Sequence, residues 1–267
     1  MSNASCRFSP REIFVRGIRT IIVDPHNDII PYWFREYLSR KQRQVVVRID
    51  DHHDMFHCCP ALPAREGSNE FHFLDRLMPY IRDYSRNLVN EGNFTCPAFH
   101  CGVLGALYHF RPSESLLNAY GRISGSEIID TPRTRVRCLP AFPRNGRLRW
   151  IFWDRDADCF KGGDESFRAT PPPLRINQND FQRDLQDCLL PVVVGFDLDG
   201  LYGNGDRGHL EKVVGKRLAG IRSVLESVPR PAFVCLARSQ TPRSYIPAEL
   251  VDRLQEAALG LVREVYS

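Results

Sequence analysis

Lysine is scarce in this chain: only four of its 36 basic residues are lysines, and the rest are arginines. The formal net charge is a mild +4. No dense basic block interleaved with aromatic residues is present, so a nucleic-acid partner is not expected. The arginine excess has two open explanations, a compositional bias or a surface that receives an acidic partner such as a peptide.

The chain also lacks the run of roughly 20 apolar residues that a membrane-spanning helix needs. Its first residues, MSNASCRFSPRE, lack the apolar core of a signal peptide. The nine cysteines are scattered and form no CxxC pair, so neither a disulfide framework nor a zinc knuckle is indicated. We therefore expect a cytoplasmic protein that has no membrane partner.

Short apolar runs alternate with helical patterns over the 267 residues, which is typical of a mainly parallel sheet with helices on both faces. The sequence predicts a three-layer α/β/α fold in a single domain spanning residues 1–267, with an irregular excursion at about 139–180. The predicted strands are 20–23, 45–50, 148–153, 188–196 and 232–237. The predicted helices are 31–41, 71–88, 93–110, 210–227 and 249–266.

Two apolar runs end in side chains that bind metals. The run VVVRIDDHHDM has Asp50, His52 and Asp54 at alternate positions, which point to one side of an extended backbone. The run PVVVGFDLDG ends in Asp197 and Asp199. Because unpartnered carboxylates at the end of a buried strand are costly, a cation is the usual compensation. The pattern predicts a metal site.

His26, in VDPHNDIIPYW, directly follows the first predicted strand and completes a set of candidate ligands. The carboxyl ends of parallel strands meet at one edge of a sheet, so the segments can converge there. Four carboxylates and two imidazoles without a thiol suit Mn²⁺ better than structural zinc. Two ions about 3.5–4 Å apart would make a shared water nucleophilic at neutral pH.

Each fragment has an ordinary structural alternative when it is taken alone. DHHD could be a solvated turn, DLDG a common Asp-Gly turn, and His26 a helix cap. The metal hypothesis depends on their joint presence after apolar strands. His53 and His57 lie out of phase with the ligands or past the strand, and we interpret them as surface or supporting residues.

Two enzyme families share parts of this pattern but differ in motif order. GFDLDG resembles the nucleophile motif of haloacid-dehalogenase-like phosphatases, yet that motif opens their fold, and here too few residues follow Asp199 to build the rest. DDHHD resembles the signature of DHH phosphoesterases, in which it follows a DxD-type motif, whereas here it precedes FDLDG. The order of the motifs excludes both.

The motif order resembles the arginase/ureohydrolase superfamily. VDPHNDIIPYW, RIDDHHDM, NFTCPAF and LARSQTPRSYIP are similar to its peptide arginase branch, whose members convert arginine side chains of a ribosomally made precursor peptide to ornithine. The resemblance implies an arginase-like fold, urea as a product and two Mn²⁺ ions. It implies that His26, Asp50, Asp54 and Asp197 hold one ion, and that His52, Asp50, Asp197 and Asp199 hold the other, with Asp50 and Asp197 bridging.

The resemblance also implies roles for further acids. Asp54 would pass a proton, and Asp156 in WDRDAD would position the substrate, although a charged turn explains that segment equally well. The acid that binds the substrate guanidinium is unassigned, with Asp24, Asp154 and Asp206 as candidates. The segment MFHCCPALPAREG lacks the Ser- and Asn-rich pattern with which arginases bind free arginine, as a peptidyl substrate would require.

The predicted function is therefore hydrolysis of arginine residues in a precursor peptide by a manganese enzyme. The alternatives are a ureohydrolase for a small guanidine, such as free arginine or agmatine, and a binding module on the same fold without turnover. A deacetylase is disfavoured because that class uses one Zn²⁺ with fewer acidic ligands. The expected partner is the precursor peptide, and assembly into an oligomer stays open.

Overall fold

The computed structural model of the chain describes residues 8–54, 70–100, 102–129, 139–141, 149–154, 159–162 and 174–267. Its helices are α1 (Ile30–Arg40), α2 (Glu70–Asn87), α3 (Thr95–His100), α4 (Gln178–Gln186), α5 (Leu210–Leu225) and α6 (Val251–Val265). Its strands are β1 (Arg11–Val15), β2 (Ile18–Val23), β3 (Gln44–Ile49), β4 (Leu104–Arg111), β5 (Leu116–Tyr120), β6 (Arg122–Ser124), β7 (Glu127–Ile129), β8 (Leu139–Ala141), β9 (Arg149–Asp154), β10 (Cys159–Gly162), β11 (Leu174–Arg175), β12 (Val192–Asp197) and β13 (Phe233–Ala237).

Eight of these strands form one sheet in the order β1-β2-β13-β12-β3-β4-β5-β11. The neighbours from β2 to β4 pair in parallel. The strands β1, β5 and β11 toward the two edges pair antiparallel. The predicted mixed α/β fold with a large, mostly parallel central sheet is confirmed.

Helices cover both faces of this sheet. Val46 and Val193 belong to one apolar cluster with residues of α1, α2 and α3. Val45 and Val194, one position along each strand, belong to a second cluster with residues of α4, α5 and α6. Because neighbouring strand residues point to opposite faces, both faces of the central strands are buried. This arrangement is compatible with three layers.

Local sequence explains where several helices begin and end. Pro31 lies in the first turn of α1, where its missing N–H costs nothing, and Lys41 ends the helix in the left-handed region with φ 58°. The side chain of Asn177 accepts a hydrogen bond from Asp180 N at 2.8 Å and so caps α4. Within the described ranges, none of the helices combines the length and the apolar character that crossing a bilayer demands.

The prediction of a buried helix or helix-like turn over residues 93–110 was right only for its first part. The segment forms the short helix α3 and then β4, a central strand of the sheet. Leu107 contacts one apolar cluster and Tyr108 the other, so β4 is buried on both faces. A run that is apolar on both sides lacks the alternation that separates a strand from a helix.

The predicted irregular excursion at about 139–180 also needs correction. It contains β8, β9 and β10, which form a separate three-stranded antiparallel sheet. The strand predicted at 148–153 is therefore present as β9 but is not a strand of the central sheet. Asp156, with Arg155 and Asp158, follows β9 outside the described residues, and its proposed role stays a prediction, as does the single domain.

The carboxyl ends of four parallel strands lie side by side. Ala237 at the end of β13 pairs with Val23 of β2 and with Asp197 of β12, and Phe196 pairs with Ile49 of β3. The segments that leave these strand ends carry every residue predicted as a metal ligand.

Candidate metal centre

The first ligand lies on the segment that leaves β2. His26 opens a 3₁₀ turn, His26–Ile29, that leads directly into α1. Its side chain is almost completely buried, and its ring centroid lies 4.7 Å from that of Phe94. Phe94 in turn stacks on Trp33 with centroids 5.6 Å apart. This aromatic contact fixes the imidazole at the edge of the sheet.

The segment that leaves β3 is bent rather than extended. The strand ends at Ile49, and Asp54 has φ 48°, in the left-handed region. A hydrogen bond from His52 N to Asp50 Oδ1, at 2.6 Å, closes the bend. The expectation that alternate residues share one side of an extended backbone was therefore wrong in its geometry. The bend still directs Asp50 and Asp54 inward, where both are buried, while the side chain of His52 stays 55% exposed.

The segment that leaves β12 turns back on itself. Asp197 Oδ1 accepts a hydrogen bond from Asp199 N at 3.1 Å, which begins the 3₁₀ turn Leu198–Gly200. The same oxygen accepts the hydroxyl of Ser239, which follows β13. Asp197 and Asp199 are both buried, at 4% exposure. Asp197 Oδ2 is left for other contacts.

Four of the predicted ligands form a first donor group around His26 Nδ1. This atom lies 3.1 Å from Asp197 Oδ2, 3.5 Å from Asp50 Oδ2 and 3.5 Å from Asp54 Oδ2. Ligand atoms about 2.1 Å from a single cation are themselves roughly 3–3.5 Å apart in octahedral or tetrahedral geometry. The separations within this group match that spacing.

A second donor group adjoins the first. His52 Nδ1 lies 2.8 Å from Asp199 Oδ2 and 3.8 Å from Asp50 Oδ1. Asp50 thus contributes one oxygen to each group, as expected of a bridging ligand. A bridging role for Asp197 stays a prediction, because its Oδ1 is occupied by Ser239 and by a backbone N–H. We call the six residues of both groups the metal cluster: His26, Asp50, His52, Asp54, Asp197 and Asp199.

Unsatisfied donor atoms provide a test of whether the metal cluster fits a cation. His26 Nδ1, Asp50 Oδ2 and Asp199 Oδ1 are buried and have no hydrogen-bond partner. His26 Nδ1 is close to Asp197 Oδ2, but the contact lacks the direction of a hydrogen bond. Each such atom costs free energy unless something compensates it. The cluster therefore fits a metal ion, in the two groups His26–Asp50–Asp197 and Asp50–His52–Asp199.

Crowding perturbs the titration of the metal cluster. Burial and then the charges of Asp54, Asp199 and Asp197 raise the pKa of Asp50 well above its usual value. Burial and Asp197 raise the pKa of Asp199 to about 7, against the lowering effect of His52. The hydrogen bond with Asp199 raises the pKa of His52 to about 10. Without a cation the cluster retains protons, which a divalent ion displaces on binding.

A buried arginine contacts the backbone and side chains next to the metal cluster. Arg48 lies within β3, is fully buried and donates to His53 O at 3.0 Å and to the hydroxyl of Thr95. Its guanidinium lies 4.7 Å from the ring centroid of Phe94 and 3.8 Å from Asp54 Oδ2. Arg48 was not predicted as part of the site, although a charged residue inside the apolar run VVVRI indicates a buried ionic contact.

A buried histidine holds the first residue of the bent segment. His109 Nε2, on β4, lies 2.8 Å from the carbonyl oxygen of Asp50. Burial and the charge of Arg48 lower the pKa of His109 to about 3, so the ring is neutral. Because a carbonyl only accepts, Nε2 is the protonated nitrogen. No motif in the sequence identified this contact.

The metal cluster opens onto a cavity of about 630 Å³. Its walls include residues 90–92 after α2 and residues 241–243 and Tyr245 after β13. His53, interpreted from the sequence as a surface or supporting residue, also lines it, whereas His57 lies outside the described residues. The volume is within the range of small-molecule sites, about 300–1,000 Å³. One amino-acid side chain or one small ligand fits.

Two of the three acids suggested for binding the substrate cation have structural partners instead. Asp24 Oδ1 accepts hydrogen bonds from Gln240 N at 2.7 Å and Thr241 N at 3.3 Å. Asp206 accepts two hydrogen bonds from the guanidinium of Arg217, at 2.8 and 2.7 Å. Asp154 ends β9, and its side chain lies outside the described part of the chain. Neither Asp24 nor Asp206 lines the cavity.

A scan against models of known protein families and a search of curated proteins found no match to this chain.

Proposed function

We propose that this protein is a Mn²⁺-dependent peptide arginase, which hydrolyses the guanidinium group of arginine residues in a precursor peptide to give ornithine and urea. The observation that carries the proposal is the pair of adjacent donor groups that share Asp50 and contain three unsatisfied buried donor atoms. Nitrogen and carboxylate donors without thiolate favour Mn²⁺ over structural zinc. The motif order along the chain supports the same family.

The two groups assign the ligands of each ion. His26, Asp50, Asp54 and Asp197 would hold the first, and Asp50, His52 and Asp199 would hold the second, with Asp197 as a further candidate. When bound, two Mn²⁺ ions would stabilise the charge that develops in the transition state and lower the pKa of a water molecule at the site.

The protein itself contributes orientation and proton transfer. Ser239 fixes the orientation of Asp197, so that Oδ2 points to the first donor group. Arg48 holds the backbone of His53 and lies close to Asp54. Asp54 lines the cavity, and its carboxylate would carry a proton to the amine that leaves as the ornithine side chain. Fixed geometry of this kind supplies much of the rate enhancement.

The choice of a peptide over a small guanidine rests on the sequence after Asp54, which lacks a pattern for binding free α-amino and α-carboxylate groups. The cavity volume of about 630 Å³ also suits a complete small guanidine. A ureohydrolase that acts on free arginine or agmatine is therefore the second candidate.

The test is incubation of Mn²⁺-loaded protein with a set of arginine-containing peptides, followed by mass spectrometry and a urea assay. We expect a mass loss of CN₂H₂ per modified arginine and an equal amount of urea. The matched controls are Asp197→Asn, which removes a ligand, and Glu36→Gln, which changes a carboxylate that pairs with Arg40 outside the cavity.

The outcomes separate the candidates. Urea release from free arginine or agmatine, with every peptide unchanged, would select the small-guanidine enzyme. Bound Mn²⁺ with no urea from any substrate would overturn both and favour a binding module.

A further inference from the structure

One carboxylate in the cavity wall has no part in the metal cluster. Glu91 follows α2 and lines the same cavity as His52 and Asp54. Its Oε1 accepts a hydrogen bond from the hydroxyl of Tyr245 at 3.1 Å. Its Oε2 is buried and has no hydrogen-bond partner. A carboxylate oxygen closed off from water without a donor indicates a position built for a ligand that donates.

The turn that carries Glu91 is held by its own side chains. Asn93 Oδ1 accepts a hydrogen bond from Asn90 N at 2.9 Å, and Asn90 Oδ1 accepts one from Gly92 N at 2.9 Å. Asn93 N also donates to Asn90 O at 3.2 Å, and Asn93 is buried. The backbone of Glu91 is therefore ordered before any ligand arrives, which reduces the entropy lost on binding.

Tyr245 joins this carboxylate to the metal cluster. Its ring centroid lies 5.3 Å from that of His52, while its hydroxyl donates to Glu91. Because a carboxylate only accepts, the phenol is the donor in this contact. Tyr245 holds Oε1 in this way, and Oε2 is the oxygen left for a ligand.

The carboxylates that line the cavity differ in what compensates them, and the wall also carries two cations, Arg111, which lies 3.0 Å from Glu114 Oε1, and Arg243. The four aspartates of the metal cluster are balanced when two divalent ions are bound. Asp51, which also lines the cavity, accepts a hydrogen bond from Ser113 N at 3.0 Å and lies 3.5 Å from a guanidinium nitrogen of Arg217. Among the cavity-lining residues that the structure describes, Glu91 is then the carboxylate left to meet a positive charge.

We propose that Glu91, oriented by Tyr245, is the carboxylate that receives the positively charged end of the substrate side chain and selects it over neutral side chains. This inference rests on the proposed function and gives it the cation-binding acid that Asp24 and Asp206, which do not line the cavity, do not supply. A carboxylate can accept two parallel N–H donors from a guanidinium, which fixes its plane as well as its charge. That plane orients the group toward the metal cluster in the same cavity.

The test uses two probes that have no guanidinium carbon and so undergo no turnover. Isothermal titration calorimetry compares Nα-acetyl-L-lysine amide with the neutral Nα-acetyl-L-norleucine amide on Mn²⁺-loaded protein. Loading with metal balances the aspartate ligands, so the difference in affinity reports on Glu91. We expect the wild type to bind the lysine probe about 10- to 100-fold more tightly, the range for hydrogen bonds to charged groups.

The variants separate charge from structure. Glu91→Gln should abolish this preference while leaving norleucine-probe binding and Mn²⁺ affinity unchanged, which also shows that the variant is folded. Glu91→Asp should keep part of the preference, and Tyr245→Phe should lower it by a few-fold, about the effect of one hydrogen bond. Glu36→Gln is the matched control, because Glu36 is a partly buried glutamate outside the cavity.

Failure of this inference is distinguishable from failure of the proposed function. A full preference in Glu91→Gln, or no preference in the wild type, would overturn the role of Glu91 even if peptides are converted to ornithine. A preference that depends on Glu91, together with no urea from any substrate, would support the cation site and overturn the proposed reaction.

Discussion

Two regions of the molecule bury aspartates, and they differ in what compensates the charge. In one, which we call the Asp184 cluster (Tyr108, Arg122 and Asp184), Asp184 Oδ2 accepts the hydroxyl of Tyr108 at 2.8 Å and Arg122 Nε at 2.6 Å. Asp184 Oδ1 accepts Arg122 Nη2 at 2.6 Å. In the metal cluster, Asp50 Oδ2 and Asp199 Oδ1 have no such partners.

The difference separates a carboxylate whose charge the chain itself balances from carboxylates that could hold a metal ion. Asp184 is about as buried as Asp197 and Asp199, so burial alone does not identify a site. In the Asp184 cluster the chain itself supplies the cation and the hydroxyl donor. In the metal cluster it places four carboxylates together with two imidazoles and one nearby arginine, Arg48, so that protons or a metal ion balance the rest of the charge.

The largest expected effect is on the Asp184 cluster. Asp184→Asn should lower the free energy of unfolding by about 3 kcal/mol, because the largely buried guanidinium of Arg122 loses its carboxylate. Urea denaturation measures the change, and Mn²⁺ affinity should not move. Asp180→Asn on the same helix is the control, because Asp180 is more exposed and should cost less than about 1 kcal/mol. Equal effects of the two substitutions would contradict the comparison.

The equivalent substitution in the metal cluster should have the opposite character. Asp50→Asn replaces a carboxyl group whose pKa is raised by burial and by the neighbouring carboxylates. The amide oxygen can still accept the hydrogen bond from His52 N. The metal-free variant should be as stable as the wild type or more stable. Its Mn²⁺ affinity should fall at least about 100-fold, since both ions lose a ligand. A destabilised variant with intact Mn²⁺ binding would show that Asp50 is structural.

Ser239 gives one carboxylate of the metal cluster the kind of compensation seen in the Asp184 cluster, because its hydroxyl donates a hydrogen bond to Asp197. Ser239→Ala should release Asp197 Oδ1 and lower Mn²⁺ affinity about 10-fold, the lower end for residues that orient a ligand. Calorimetric titration with Mn²⁺ measures the change. Ser239→Gly also lacks the hydroxyl but suits the positive φ of 52° at this position, so it should lose as much affinity as the alanine variant, and no loss in either variant would contradict the role.

The smallest expected effect is a pH dependence of the metal-free protein. The pKa of Asp199 rises from 3.8 to about 7 on folding and that of His52 from 6.5 to about 10, so the folded state binds protons that the unfolded state has lost. Stability should therefore fall as pH rises from 7 to 9, by only about 1 kcal/mol in total, because the His52 side chain is 55% exposed and solvent screens its interaction, and because Asp199 has released most of its proton above pH 7.

Saturation with Mn²⁺ is the control for this trend, because bound ions replace the protons. The lowered pKa of His109 acts with the opposite sign, but only below about its ordinary value of 6.5, outside this window. Thermal unfolding at a series of pH values measures both forms. A metal-free protein that becomes more stable between pH 7 and 9 would contradict the prediction.

The elements with a clear amphipathic or bounded pattern were predictable from the sequence. The strand predicted at 45–50 is β3, Gln44–Ile49, and the helix predicted at 249–266 is α6, Val251–Val265. The run that became β4 was not predictable, because both of its faces are buried and its period is hidden. β9 belongs to a separate sheet because its hydrogen-bonded neighbours are β8 and β10, and neither of these two strands pairs with a strand of the central sheet.

The six residues of the metal cluster could be predicted to converge, because their motifs follow strands whose carboxyl ends meet at one edge of the sheet. Their backbone geometry was not, since the bend after β3 depends on a hydrogen bond between Asp50 and His52 N. Arg48 had a local signal, a charge inside an apolar run, whereas Ser239 and Glu91 make contacts between distant segments, which no local pattern encodes. The pairing of Glu91 with Tyr245 joins residues 154 positions apart in the chain.

The segment after β13, residues 238–246, contacts both the metal cluster and Glu91. Asp24 holds its base through Gln240 N, and Tyr245 N donates to Ser239 O at 2.9 Å. Ser239 and Tyr245 are thus bonded to each other while one reaches a metal ligand and the other reaches Glu91. Ser244 belongs to this network too, since its hydroxyl donates to Gln240 Oε1 at 3.2 Å, and the exposed tip is Pro242 and Arg243, which line the cavity. Under the proposed function, substitutions at this tip are expected to change which substrates bind, whereas substitutions at the base should disturb Mn²⁺ and substrate binding together.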